Sequence, residues 1–396
     1  MHKTRLTIQY CLHQLAYWAA AAGVMSFATT FLLAKGFPAS QVGTVLAAGS
    51  ILSCFTQPFL AAKADRSGKR VLFRMIMGLT ALSALCFAAL LLRGLPPLVF
   101  ALLYLLGVWS FDAMMPLLNS VCVHFQAMGC TINYGVARAV GSASFAAAAL
   151  GIGYLIREAG VNSMILLCLL LLLLCLLVTA GYPRGDGAAQ SRQERKDESC
   201  GVVEFFLRYR WYCLSLLGIL LLAMFHAMTE NYLISIFERL GGGSDNVGMA
   251  LFIATAAEAG VLIFFTQIRN KLGNSLLLKL GGLSFLIKAI LFLFADSITF
   301  VYLCQILQMT SYAFISPVQL YYADEKVSRS DMVKGQAFIT ASYTLGCALG
   351  NFAGGVLVEH LGVPAMLTAG IFMAAAGTLV LMLTVDKNDQ YTLQTT

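Results

Sequence analysis

An apolar run of about twenty residues recurs twelve times along this chain, and no other feature restricts its fold as much. A helix of roughly 20 residues is what crosses the about 30 Å of hydrocarbon in a bilayer. The runs fall at 11–34, 41–62, 71–92, 97–121, 135–157, 161–182, 212–237, 246–268, 275–295, 299–321, 335–358 and 362–385, with the least defined boundaries around the fourth and tenth. Composition agrees: 59% of the 396 residues are hydrophobic, 11% are charged, and the mean hydropathy is +0.80, outside the balance of a soluble domain. The expectation is an all-α, multi-pass membrane protein.

The net charge of +7 has a topological cause. Alternate loops collect Lys3, Arg5, Lys63, Arg66, Lys69, Arg70, the basic residues of 184–196, Arg269, Lys271 and Lys326, whereas the opposite loops carry Lys35, Arg93, Arg157 and Arg239. Under the positive-inside rule both termini are cytoplasmic, in the inner or plasma membrane of a cell. A nucleic-acid partner is not required to explain the charge, and nothing demands a partner chain, so a monomer suffices. The eleven cysteines lie scattered in apolar runs without CxxC or metal-ligand spacing and read as small buried hydrophobes. Neither a nucleophile–base pair nor a phosphate loop is present, so the chain reads as no enzyme and calls for no cofactor. The start, "MHKTRLTIQYCLHQLAYW", runs straight into a full-length span rather than a cleavable leader.

The polar break "YPRGDGAAQSRQERKDESCG" divides six spans from six, which predicts an N-terminal bundle over 1–182, a cytoplasmic linker over 183–204 and a C-terminal bundle over 205–396 with a short tail. The halves echo each other: "FTQ" precedes a basic turn in both the second and the eighth spans, and "GVAR" at 135 corresponds to "GQAF" at 335. Two six-helix bundles related by pseudo-two-fold symmetry are the parallel-repeat plan of alternating-access carriers. The loop "AAKADRSGKRVL" then resembles the signature GxLaDrxGrkxxl of the major facilitator superfamily, matched by Asp65, Arg66, Gly68, Lys69 and Arg70, with Ala61 at the usual first glycine. The resemblance implies that this loop gates the cytoplasmic face; a hydrated basic turn is the plainer alternative.

Charges at membrane depth are costly, by about 2.5–3.5 kcal/mol on insertion scales, and therefore mark function by default. Five stand out: Asp112, Arg138, Glu230, Glu258 and Lys288. Arg138 lies too deep to reach an interface and offers five donors for hydroxyls or a carboxylate, with a fixed tie to Asp112 as the structural alternative. Glu258, centred in "LFIATAAEAGVLIFF", is expected to face Arg138 between the halves and to take up and release a proton, or else to make a static interhelical bond. Glu230 shares a helical face with His226, four residues earlier, as a candidate proton relay. Lys288 either snorkels, pairs with Asp296 or joins the site. Gln305 and Gln308 share a face that suits a hydroxylated solute, and Tyr17 and Trp18 read either as ring-stacking residues or as interface anchors.

At these residues the chain resembles the lactose-permease-like branch of that superfamily, which includes oligosaccharide and nucleoside proton symporters and phenylpropionate-permease-like proteins. The segment "YGVARAVGSASF" is similar to the branch pattern YGxxRxxGSxGW, and it puts Arg138 at the sugar-binding arginine. "TAAEAG" resembles the helix bearing the essential carboxylate, Glu230 falls near the seventh-helix aspartate and Lys288 near the ninth-helix arginine. Gln305, Gln308 and Ser311 stand where lactose permease has Lys, His and Glu, and Ser120 beside Asn119 replaces the fourth-helix glutamate. The resemblance implies import of a small hydroxylated solute with protons, Arg138, Trp18, Asn119, Gln305, Gln308 and Glu258 meeting the solute. Glu258, Glu230, His226 or Asp112 would carry the proton. A proton-coupled antiporter and a non-transporting receptor on a carrier scaffold are the rival readings.

Overall fold

A computed structural model describes residues 2–66, 69–127, 132–183 and 201–387. Most of the expected linker, residues 184–200, and Gly68 of the basic loop lie outside these residues, as do the side chains of Asp65, Arg66, Lys69 and Arg70. Among the described residues every regular element is helical. In the first half these are α1 (His2–Ala21), α2 (Ala28–Ala34), α3 (Ala39–Arg66), α4 (Lys69–Ala89), α5 (Pro97–Asp112), α6 (Met114–Ala127), α7 (Tyr134–Ala159) and α8 (Asn162–Ala180). In the second they are α9 (Val202–Arg208), α10 (Arg210–Asn231), α11 (Leu233–Arg239), α12 (Ser244–Ile263), α13 (Phe265–Leu272), α14 (Asn274–Leu293), α15 (Ile298–Ile306), α16 (Tyr312–Lys326), α17 (Met332–Leu361) and α18 (Val363–Thr384). Among the described residues eleven helices are long and apolar enough to cross a membrane, and the bent pair α1–α2 makes twelve if counted as one span.

Among the described residues five of the expected spans are interrupted: the seventh at Tyr232, between α10 and α11, the eighth at Phe264, between α12 and α13, and three others where a local hydrogen bond accompanies the break. Between α1 and α2 a π-turn, Ala22–Ser26, bends the chain by 48°. The Tyr104 hydroxyl donates to the Val24 carbonyl of this turn at 2.9 Å, tying the irregular stretch to α5. The fourth span breaks between α5 and α6 because Pro116 has no N–H for the Asp112 carbonyl four residues earlier. Gln57 of α3 fills the gap, its amide nitrogen donating to that carbonyl at 3.3 Å and to the Asp112 carboxylate at 3.0 Å. The tenth span tightens into a 3-10 turn, Leu307–Met309, whose Leu307 carbonyl accepts from the Ser311 hydroxyl at 2.8 Å.

The chain forms two compact units, Met1–Pro38 with Ala48–Gln193 and Gly243–Phe252, and Ala39–Ala47 with Glu194–Gly242 and Ile253–Thr396. Inside the first, α1 lies along α7 and α8, and α4 packs on α5 and α8. Inside the second, α10 is clasped by α17 and α18. Gly346, Gly350 and Gly354 form a groove on α17 in which α10 lies; a Cβ at Gly346 or Gly350 would strike the Leu220 or Met224 carbonyl, and one at Gly354 would meet the Tyr232 ring. Lipid gives helices no hydrophobic reason to associate, so close backbone approach through small residues supplies the contact instead.

Candidate functional site

In the second unit the charged residues converge on one cluster. Lys288 of α14 is 0% exposed, and its ammonium donates to Glu230 of α10 at 2.9 Å and to the amide oxygen of Gln308 at 2.8 Å. The expected snorkelling of Lys288, or its pairing with Asp296, is thereby corrected: a cation sealed among helices needs a counter-charge within reach, and Glu230 is nearer than any interface. The Glu230 side chain keeps 15% of its surface exposed, so it is the accessible side of the pair. The buried Gln305 amide acts on the Glu230 carboxylate but forms no hydrogen bond of ordinary geometry. His226 makes no hydrogen bond to Glu230; its ring stacks on Tyr312 at 4.8 Å and 20°. Tyr312 in turn lies beside Tyr343, at 6.5 Å between ring centres, and within electrostatic range of Glu258, half-buried on α12.

In the first unit Arg138 of α7 donates to Ser142 one turn on at 2.9 Å, and its guanidinium carbon lies 4.2 Å from the centre of the Trp18 ring. A desolvated guanidinium over indole is worth up to about 2 kcal/mol. The shelf is itself supported: Trp18 donates to Gln14 at 2.9 Å, Gln14 to the Tyr10 hydroxyl at 2.8 Å, and Tyr10 to the Leu118 carbonyl at 3.3 Å. Gly141 makes room for it, since a Cβ there would stand 2.5 Å from the indole. Tyr134, on the same face as Arg138, donates to Asn119 of α6 at 3.4 Å.

Several expected roles change with this geometry. The Arg138 to Asp112 tie is absent among the described residues: Asp112 sits at the break before Pro116, where Gln57 bridges its carbonyl and its carboxylate, and Arg138 lies over Trp18 instead. Tyr17 is neither an interface anchor nor available to a solute ring, being buried and stacked flat on Phe111 at 4.6 Å. Gln308 has its amide oxygen committed to Lys288. Arg138, Trp18, Asn119 and Asp112 belong to the first unit, and Glu230, His226, Glu258, Gln305 and Gln308 to the second. Gln14 and Gly141 escaped the sequence reading, although their spacing from Trp18 and Arg138, four and three residues, places each on the face that matters.

The MFS_1 like family matches residues 6–368. A maltose permease of Geobacillus stearothermophilus is 25% identical over 346 residues, covering 87% of this chain and 85% of that protein. A Bacillus subtilis protein described as the uncharacterized transporter YwbF is 23% identical over 361 residues, covering 89% and 87%. Among solved structures, a mutant of the nucleoside transporter NupG superposes with a TM-score of 0.82 at 14% identity, over 96% of this chain and 99% of that one. A D-xylose-proton symporter gives 0.70 at 16% identity, over 96% and 97%. Identities this low speak for the shared fold alone. The family match spans most of the sequence, and the chain therefore belongs to the MFS_1 like family: it is a multi-pass membrane transporter with the major facilitator fold.

Proposed function

We propose that the protein imports a small hydroxylated solute, of the sugar or nucleoside type, together with a proton. The observation that carries this reading is the Lys288, Glu230 and Gln308 constellation, a buried ion pair in a helical bundle with one carboxylate edge exposed. Such a group is too costly to keep for packing alone. The names of a maltose permease, a nucleoside transporter and a D-xylose-proton symporter among the similar proteins favour the same solute class.

In this reading Arg138, held flat on Trp18, donates to ring hydroxyls, and Asn119 and Gln305 add neutral donors and acceptors. Gln308 positions Lys288. Glu258 is the coupling carboxylate: protonating Glu230 instead would strand the buried Lys288 charge, whereas Glu258 lies outside that pair and within electrostatic range of Tyr312, on which His226 stacks. Asp112, committed to Gln57, stays out of the proton path. The loop from Asp65 to Arg70 gates the cytoplasmic face. Across 100 mV one proton contributes about 2.3 kcal/mol, enough for roughly fiftyfold accumulation.

The test is uptake of labelled maltose, xylose and uridine into proteoliposomes under an imposed proton gradient, for the parent chain and Glu258→Gln. The variant is expected to exchange solute across the bilayer but to lose uphill accumulation and its pH dependence. Retained accumulation with unchanged pH dependence would exclude Glu258, and solute efflux driven by an inward proton gradient would replace symport with antiport.

A further inference from the structure

Where the second unit begins, the surface carries a feature that solute transport does not use. The short helix α9 buries a single side chain, Phe205, against Tyr209 and Phe338 at 4.8 and 5.1 Å. Val202, Phe206, Val203 and Leu207 fall on one continuous arc of the helix, and Val203 and Leu207 are each 75% exposed. Glu204 and Arg208 occupy the remaining side, joined by an i,i+4 ion pair at 3.8 Å, and Arg208 also reaches the buried Asp331 at 3.3 Å. The helix ends at Tyr209, whose φ of −113° and ψ of 48° break it from the membrane span α10. A seven-residue helix with one face in the protein, one apolar face outward and a polar third face is shaped for the boundary between headgroups and acyl chains.

Immediately beyond that break sits Trp211. Two exposed cations share its ring, Lys387 at 3.7 Å and Arg210 at 5.4 Å from the centre, the first from the end of α18 and the second from the start of α10. Neither has a carboxylate partner among the described residues, whereas neighbouring Lys279 is paired with Asp386 and Lys326 with Glu325. Two like charges held over one indole repel each other unless an anion lies beside them. The surrounding loops are those that the positive-inside rule places in the cytoplasm, where the leaflet surface is acidic and each nearby basic residue adds to binding.

We infer that α9 together with Arg210, Trp211 and Lys387 forms an interfacial anchor that takes the phosphate headgroup of an acidic phospholipid, its acyl chains covering Val203, Phe206 and Leu207. Trp211 supplies the amphipathic ring at headgroup depth, and the two cations supply the charge. The site is independent of the proposed import and of its solute.

The full-length chain carrying Trp18→Phe and Trp109→Phe leaves Trp211 as the single tryptophan. It is reconstituted in vesicles containing brominated phosphatidylglycerol or, at equal mole fraction, brominated phosphatidylcholine. Quenching of Trp211 is expected to favour phosphatidylglycerol, and Arg210→Gln with Lys387→Gln to remove the preference, at about fivefold in affinity per cation. Equal quenching by both lipids, quenching by neither, or a preference that survives the double substitution overturns the assignment. So does loss of the preference on adding inorganic phosphate at constant ionic strength, which would identify a soluble anion as the occupant. Native mass spectrometry of the chain with all three tryptophans, with and without the two Gln substitutions, guards against misfolding of the Phe variants: retained phosphatidylglycerol must fall with the substitutions, and unchanged retention rejects the site.

Discussion

Lys288 is a cation with no route to water, and its stability rests on two neighbours. Replacing it with Met should leave Glu230 as a buried charge without its counter-ion and cost about 3–5 kcal/mol, seen as a lowered thermal midpoint in detergent. Adding Glu230→Leu in the same chain should recover most of the loss, because an apolar pair of similar volume no longer desolvates charge. A double variant as unstable as Lys288→Met would show that packing around α14, and not the ion pair, governs the site. At Gln14 the expectation differs: Gln14→Leu strands the Trp18 N–H, removes the bond that the Tyr10 hydroxyl accepts, costs about 1–3 kcal/mol and shifts the Trp18 fluorescence. The charged residues themselves were legible, since each stands out against an apolar run. Their partners were not, because Glu230 and Lys288 lie 58 residues apart on different helices, and hydropathy carries no information about which face of a span turns inward.

Among the elements, the helices could be read from apolar run length and the breaks within them could not. Asp112 lies beside Ala113 and Gln305, Gln308 and Thr310 lie around Leu307, yet 18-residue stretches within Pro97–Cys122 and Ile298–Gln319 keep a mean hydropathy of 1.9 and 1.4, so averaging hides both interruptions. Pro116 was the available signal for the first, and it becomes interpretable only with Gln57 beside the freed carbonyl. Gln57→Leu should therefore destabilise the parent by about 1–3 kcal/mol, and less in a Pro116→Ala chain whose residue 116 can donate its own N–H. Additive effects in this double-mutant cycle would detach the glutamine from the break. The α17 groove makes a sterner demand. Gly350→Leu should cost at least about 1–3 kcal/mol through overpacking against α10, whereas Ala at the outward-facing Gly260, where a Cβ meets nothing, should be tolerated.

For the whole molecule, the asymmetry of Lys and Arg predicts an orientation that vesicles can test. Trypsin added to inside-out vesicles is expected to cut among Arg192, Arg195 and Lys196, and trypsin added to right-side-out vesicles to leave that stretch intact; the opposite pattern would invert the topology. The Gly346, Gly350 and Gly354 groove has a mechanical corollary. Because α10 rests backbone to backbone on α17, and Asn231 clips to Asn351 at 2.6 Å at the end of that seam, the two helices behave as one stiff beam carrying Glu230. Rearrangement during a transport cycle is then expected outside this seam, at helix breaks such as those beside Phe27, Ala113, Phe264 and Leu307, leaving the lysine's counter-charge in register while the rest of the machine flexes around it.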